Sequence, residues 1–165
     1  MWNAAVVAIL IAVAGVYATR NARTLDGVQA GLAASTAAEM GIYRNAVINY
    51  FTAHDTSPGV VTTAALKSGG YLPSWSRLYQ QSTPLAWSNY RDAAGIIYIY
   101  ATALPDRNLV AELASLAQNS VLFGVYDGTT NKLQSPVAGN TNIPTSAISA
   151  MSIPNGAPVW IAMIK

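Results

Sequence analysis

The chain has 165 residues, 52% of them hydrophobic and only 10% charged, with a formal net charge of +2. That length holds one ordinary domain plus an appendage, and a charged fraction far below the roughly 25% of soluble domains points to a membrane-associated or extracytoplasmic protein. No stretch has the dense Lys/Arg footprint of nucleic-acid binding, and the lack of cysteine excludes disulfides, thiolate nucleophiles and cysteine-ligated metal centres.

The first element is MWNAAVVAILIAVAGVYATRNAR, which from Ala4 to Ala18 has neither charge nor proline. A helical rise of about 1.5 Å per residue gives this run roughly 22 Å, and Trp2, Asn3 and Thr19 bring it near the roughly 30 Å hydrocarbon thickness. A cleaved secretory signal would have a basic stretch before the apolar run, and a buried core helix would not be apolar on every face at a chain terminus. Residues 1–19 are therefore read as an uncleaved transmembrane anchor formed by Trp2, Ala4, Val6, Val7, Ile9, Leu10, Ile11, Val13, Val16 and Tyr17, with Trp2 and Tyr17 at the interfaces. Arg20 and Arg23 just after the span argue for a cytoplasmic domain by the positive-inside rule. The composition of the remainder, poor in Lys and Glu and rich in Ser, Thr, Asn and Tyr, argues for the periplasm, which is the side adopted.

Residues 20–56 are read as an amphipathic stalk continuing the same helix. Leu25, Val28, Leu32, Met40, Tyr43, Val47 and Tyr50 recur at helical spacing and form a candidate stalk interface, expected to pack on the domain and open to self-association through the helix. Thr36 interrupts the stripe, and its hydroxyl can bond a carbonyl of the preceding turn. Gly27, Gly31 and Gly41 each cost up to about 1 kcal/mol of helix stability. The helix is expected to end near HDTSPG, because Pro58 disfavours helix at Ser57.

Residues 57–165 read as a small α+β domain. In VVTTAALKSGGYLPSW, Thr62 or Thr63 caps a short helix with Leu66 inward and Gly69 or Gly70 closing it. PLAWSNY and GIIYIYATAL have strand composition, with a hairpin loop over residues 91–95. Alternation places Ile97, Ile99 and Ala101 on a buried face and Tyr98, Tyr100 and Thr102 on an open one. LPDRNLVAELASLAQNS restores helical spacing through Leu109, Leu113 and Leu116, with Asp106 as N-cap. VLFGVYDGTTNKLQS reads as a hairpin around Asp127-Gly128, residues 136–158 as loop-rich, and VWIAMI as a last strand. The fold class is α+β: a long N-terminal helix, membrane anchor plus stalk, packed on a small antiparallel sheet.

No constellation carries catalysis. His54, Asp55 and Ser57 are neighbours in sequence, but a triad must converge in space, and a polar helix end is the simpler reading. The carboxylates Asp26, Glu39, Asp55, Asp92, Asp106, Glu112 and Asp127 show no pairing. DGTTNK lacks the repeated oxygen ligands of a calcium loop, and KSGGYLP lacks the Gly-Lys-Ser/Thr of a phosphate loop. No catalytic, cofactor or metal residue is assigned. Tyr71, Trp75, Tyr79, Trp87, Tyr90, Tyr98 and Tyr100 form a recognition face only if they are exposed together.

A long helix that starts apolar, emerges as a stalk, breaks at Ser-Pro-Gly and meets TTAALKSGGYLPSW resembles the type IV pilin-like layout. The start MWNAAVVAILIAVAGVYA and the chain length resemble the PilM family of conjugative thin-pilus and type IVb systems, which is distinct from the actin-like PilM. The resemblance implies an inner-membrane, single-pass component of a pilus assembly apparatus, in the basal body or in pilin transport. Its implied partners are pilin, other assembly proteins and the bilayer, with no enzymatic activity. A processed pilin would carry a cleavage glycine before its apolar helix and a glutamate near the mature N-terminus. Here the run lacks glutamate and Gly15 lies too late, so a fixed machinery role precedes that of a minor pilin or pseudopilin in the fibre, with a small periplasmic hydrolase last.

Overall fold

A computed structural model describes residues 2–54, 57–81, 86–104 and 109–163, and within the first helix it describes side chains from Arg23 onward. A continuous helix α1 (Trp2–Ala53) leads into two short helices, α2 (Thr63–Ser68) and α3 (Arg77–Gln80). Strands β1 (Trp87–Arg91) and β2 (Ile96–Ala101) follow, then α4 (Leu109–Leu116), β3 (Phe123–Asp127), β4 (Lys132–Ser135), β5 (Gly139–Pro144), a 3-10 helix over Ser146–Met151 and β6 (Pro158–Met163). The strands form one antiparallel sheet in the order β1-β2-β6-β3-β4-β5. The protein is α+β, with α1 packed on this sheet.

Local chemistry sets the boundaries. The backbone of α1 closes with the His54 amide donating to the Tyr50 carbonyl at 3.0 Å, at the expected break before Ser57-Pro58. Thr62 is the N-cap of α2, its hydroxyl accepting from the Ala65 amide at 3.2 Å, and Leu66 is fully buried. Ser76 caps α3 in the same way through the Tyr79 amide. Between β1 and β2, Asp92 Oδ1 accepts from the Ala94 and Ile96 amides, and Gly95 supplies the positive φ of 84°. The β3–β4 turn works differently from the expected Asp-Gly pair: Asn131 takes the left-handed conformation at φ 51°, while Asp127 holds the turn with its carboxylate.

The register puts Trp87, Asn89 and Arg91, Ile97, Ile99 and Ala101, and Phe123 and Trp160 on the face that meets α1. The expectation of an open second face on β2 is incorrect. Tyr98 and Tyr100 are buried, because β2 is an interior strand with both faces covered. They share one core with Tyr126, Leu133, Val159 and Ile161 and with Ile148 and Ile153 from the segment after β5.

Residues 136–158 are accordingly not simply loop. Their β5 has the weak strand composition Gly-Asn-Thr-Asn; it pairs antiparallel with β4 through a register shift, and Thr141 adds a side-chain tie, donating to the Leu133 carbonyl at 2.7 Å and accepting from the Ile143 amide. The segment that follows is pinned to the β3 region by the Tyr126 amide on the Ala157 carbonyl and the Gly156 amide on the Tyr126 carbonyl, both 2.8 Å. In α4, Leu109 and Leu113 are buried as expected, but Leu116 is exposed, and Ala114 and, just past the helix end, Ala117 are buried instead. The face of α4 is set by packing on α1, where small residues admit close approach. The Asp106 cap lies outside the described residues.

Candidate interaction surface on the first helix

From Ala33 downward, α1 is built into the domain. Ala33, Ala37, Met40, Tyr43, Ala46, Val47 and Phe51 are buried, a spacing of three to four residues along one face. Gly41 has a role that composition did not suggest: a Cβ there would lie 3.2 Å from Leu116 Cδ2, so the glycine lets α4 approach. Thr36 donates its hydroxyl to the Leu32 carbonyl at 2.9 Å, as its place in the stripe allowed.

Polar groups lock the helix to the sheet. Asn89 is fully buried on β1; its Nδ2 donates to Tyr43 Oη at 2.7 Å and to the Val61 carbonyl at 2.9 Å, and its Oδ1 accepts from the Val61 amide at 3.0 Å. One amide thus ties α1, β1 and the segment after α1 together, beside a backbone bridge between Gly59 and Arg91. Burial pushes the Tyr43 hydroxyl up to about 12, the Asn89 bond opposes this, and Tyr100 adds to it. The Arg44 guanidinium lies 4.6 Å from the Trp160 ring centroid, and burial lowers its pKa. Arg91 stacks over Phe51 at 5.7 Å. Arg77 on α3 pairs with Glu39 at 3.3 Å, with the arginine largely exposed and the glutamate largely buried. Nothing in the sequence marks Asn89 except a lone amide on the α1-facing line of an otherwise aromatic strand.

Above Ala33 the helix leaves the domain. Leu25, Val28 and Leu32 are 62%, 55% and 60% exposed. The predicted stripe therefore divides: Met40, Tyr43 and Val47 fill the chain's own core, Tyr50 is half-buried against it, and the upper three residues stand free of it. The reason is geometric, since the buried face passes through Ala33 and Ala37 and not through Leu32 and Thr36. Among the described residues no helix is long and apolar enough to cross a membrane. The anchor residues Trp2, Ala4, Val6, Val7, Ile9, Leu10, Ile11, Val13, Val16 and Tyr17 lie outside those whose side chains are described.

The remaining candidates are structural. His54 stacks on Tyr50 at 4.4 Å with Tyr71 edge-on at 5.9 Å, and its Nδ1 is 2.9 Å from the Tyr50 carbonyl, which fixes the ring at the helix end. Asp127 Oδ1 accepts from the Thr129 amide at 2.9 Å and its Oδ2 from the Thr130 hydroxyl at 2.6 Å. These bonds, the Thr130 hydroxyl first, hold the carboxyl below its usual value. Among the described residues no group of three His, Asp or Glu stands ready to hold a metal ion. The aromatic set does not form one exposed face: Trp87, Tyr98 and Tyr100 are buried, Tyr71 and Tyr90 half-buried, and only Trp75 and Tyr79 are exposed. Among the described residues, Leu25, Val28 and Leu32 place three exposed apolar side chains together on one helix.

Comparison with known proteins gives a match to the family model described as PilM over residues 8–161. No curated relative matches the chain. Among solved structures, the crystal structure of PilM from Escherichia coli B7A is similar, with a TM-score of 0.52 at 20% identity, covering 81% of this chain and 94% of that one. That likeness shows the shared fold.

Proposed function

The chain belongs to the PilM family and is a pilus-associated protein, and from that premise we propose that it is a non-enzymatic component of a type IVb thin-pilus assembly apparatus. It sits in the inner membrane through residues 1–19 and works by protein contacts with pilin and other assembly proteins. The observation that carries this reading is the exposed Leu25, Val28 and Leu32 face on a helix whose lower half is locked into the domain. Such a helix transmits position rigidly, and contiguous apolar exposure on a regular element marks an interaction site. The anchor rests on the uncharged run of Ala4 to Ala18 and its length.

The domain is placed in the periplasm on its composition, against the vote of Arg20 and Arg23. Carbonate extraction and detergent partitioning of the full-length chain test the anchor: retention in the membrane pellet is expected, and release into the soluble fraction defeats it. A reporter fused after Lys165 decides the side. Entry into the fibre as a minor pilin is the second reading, and the chain's presence in purified pili would favour it over a role confined to the membrane.

A further inference from the structure

We infer that Asn155-Gly156 is a covalent modification site that the fold holds closed: the asparagine deamidates through a succinimide when the turn carrying it leaves β3.

Asn155 is the one asparagine of the chain that is followed by glycine. The nucleophile in this reaction is the backbone nitrogen of the next residue, and glycine has no side chain to shield that nitrogen or restrict its approach. The Gly156 nitrogen gives its proton to solvent base and attacks Asn155 Cγ. The new N–Cγ bond closes a five-membered ring as the Cγ–Nδ2 bond breaks and ammonia leaves. One water then opens the ring. Addition at Cγ gives aspartate, and addition at the main-chain carbonyl gives isoaspartate, whose backbone runs through the former side chain.

The structure engages both reacting groups. Asn155 is exposed, so water and base reach it. The Gly156 amide, however, donates to the carbonyl of the buried Tyr126 at 2.8 Å, and it must give up that bond before it can lose its proton. Asn155 Oδ1 accepts from the Gly128 amide at 2.9 Å, which ties the carboxamide to the β3–β4 turn. The Ala157 amide on the Pro154 carbonyl at 3.0 Å closes the turn around them, with Gly156 at φ 86° as at the second inner position of a type II turn. Ile153 and Ala157, both buried, anchor the two ends. The rate therefore follows the fraction of time in which the Gly156 amide is released. Isoaspartate adds a carbon to the main chain inside this turn, so the modification records an opening permanently.

The full-length chain in detergent, kept folded or unfolded in guanidinium chloride at one mildly alkaline pH, is digested and its peptides weighed over time. Exchange of NH for O registers at residue 155, whereas isomerisation at Asp26-Gly27 or Asp127-Gly128 leaves the mass unchanged. The unfolded chain should deamidate faster at Asn155 than at any other asparagine, and the folded chain at least about tenfold more slowly at that site. Ile153→Val, which trims one methyl from the anchor, should speed the folded reaction about two- to tenfold and leave the unfolded rate as it was. Equal rates in the folded and unfolded chain, or a folded rate unmoved by Ile153→Val, would overturn the gating. Another asparagine outpacing Asn155 in the unfolded chain would overturn the site.

Discussion

Replacing Asn89 with alanine removes the group that joins three elements, and its cost follows from what it leaves behind. Asn89 is fully buried, and without its amide the Val61 N–H, the Val61 carbonyl and the Tyr43 hydroxyl each lose a partner that now lies 2.7 to 3.0 Å away. An orphaned buried polar group costs about 1–3 kcal/mol. The adjoining Val60 is half exposed, so water can reach the strap carrying Val61 and the full sum is not realised. The expected loss is about 3 kcal/mol, which in a chain of this length corresponds to about 6–12 °C in Tm. Tyr43→Phe should cost less, about 1 kcal/mol, because the Asn89 amide keeps both Val61 bonds. Denaturant unfolding of the detergent-solubilised chain, followed by tryptophan fluorescence, measures both variants. A change for Asn89→Ala below about 0.5 kcal/mol, the range of surface substitutions, would refute the latch.

Three further outcomes are expected from the domain. Gly124→Ala should destabilise by about 2 kcal/mol or more in the same unfolding assay, because its Cβ would overlap the Gln134 carbonyl and lie 2.9 Å from Leu133 Cγ, and backbone cannot step aside. Arg77→Ala should destabilise by about 1 kcal/mol: solvent screens the arginine, which is 65% exposed, but the Glu39 side chain that loses its counter-charge is only 14% exposed. In alkali, Tyr43 and Tyr98, both raised from 10.0 to about 12 chiefly by burial, keep their protons when folded and lose them when unfolded. Their contribution is whole below pH 10 and disappears as pH rises to about 12; a stability flat across that window, with both phenols titrating near 10 by absorbance, would contradict the buried assignment.

The fold was legible where periodicity and local chemistry agree. The end of α1, the Thr62 cap, the hairpin at Asp92 and the strands through Trp87, Ile97 and Val159 each combine a hydrophobic pattern with a turn or cap signal. What escaped depends on partners distant in sequence. Tyr98 and Tyr100 look like an open face because amphipathic rings occur on both surfaces of a sheet, and only the 145–157 segment's membership of the core closes the question. β5 lacks β-branched density; it is recruited by pairing with β4 and by the Thr141 hydroxyl on the Leu133 carbonyl, contacts that no propensity encodes. The stripe on α1 is a single line in sequence, yet the domain takes only its lower part, because α1 enters the core on a line through Ala33 and Ala37. Alanine carries little hydropathy, so the sequence points to Leu32 where the structure buries its neighbour.

The central claim is that the exposed upper face of α1 is what this protein uses in pilus assembly. Val28→Asp places a charge in the middle of that face at a position 55% exposed, so the domain's stability should be unchanged. Pilus yield from cells in which Val28→Asp replaces the native chain at equal membrane abundance is the most direct measurement. The account predicts yield reduced to that of cells lacking the protein, with unfolding of the variant indistinguishable from that of the native chain. Native pilus yield from the folded variant would contradict it.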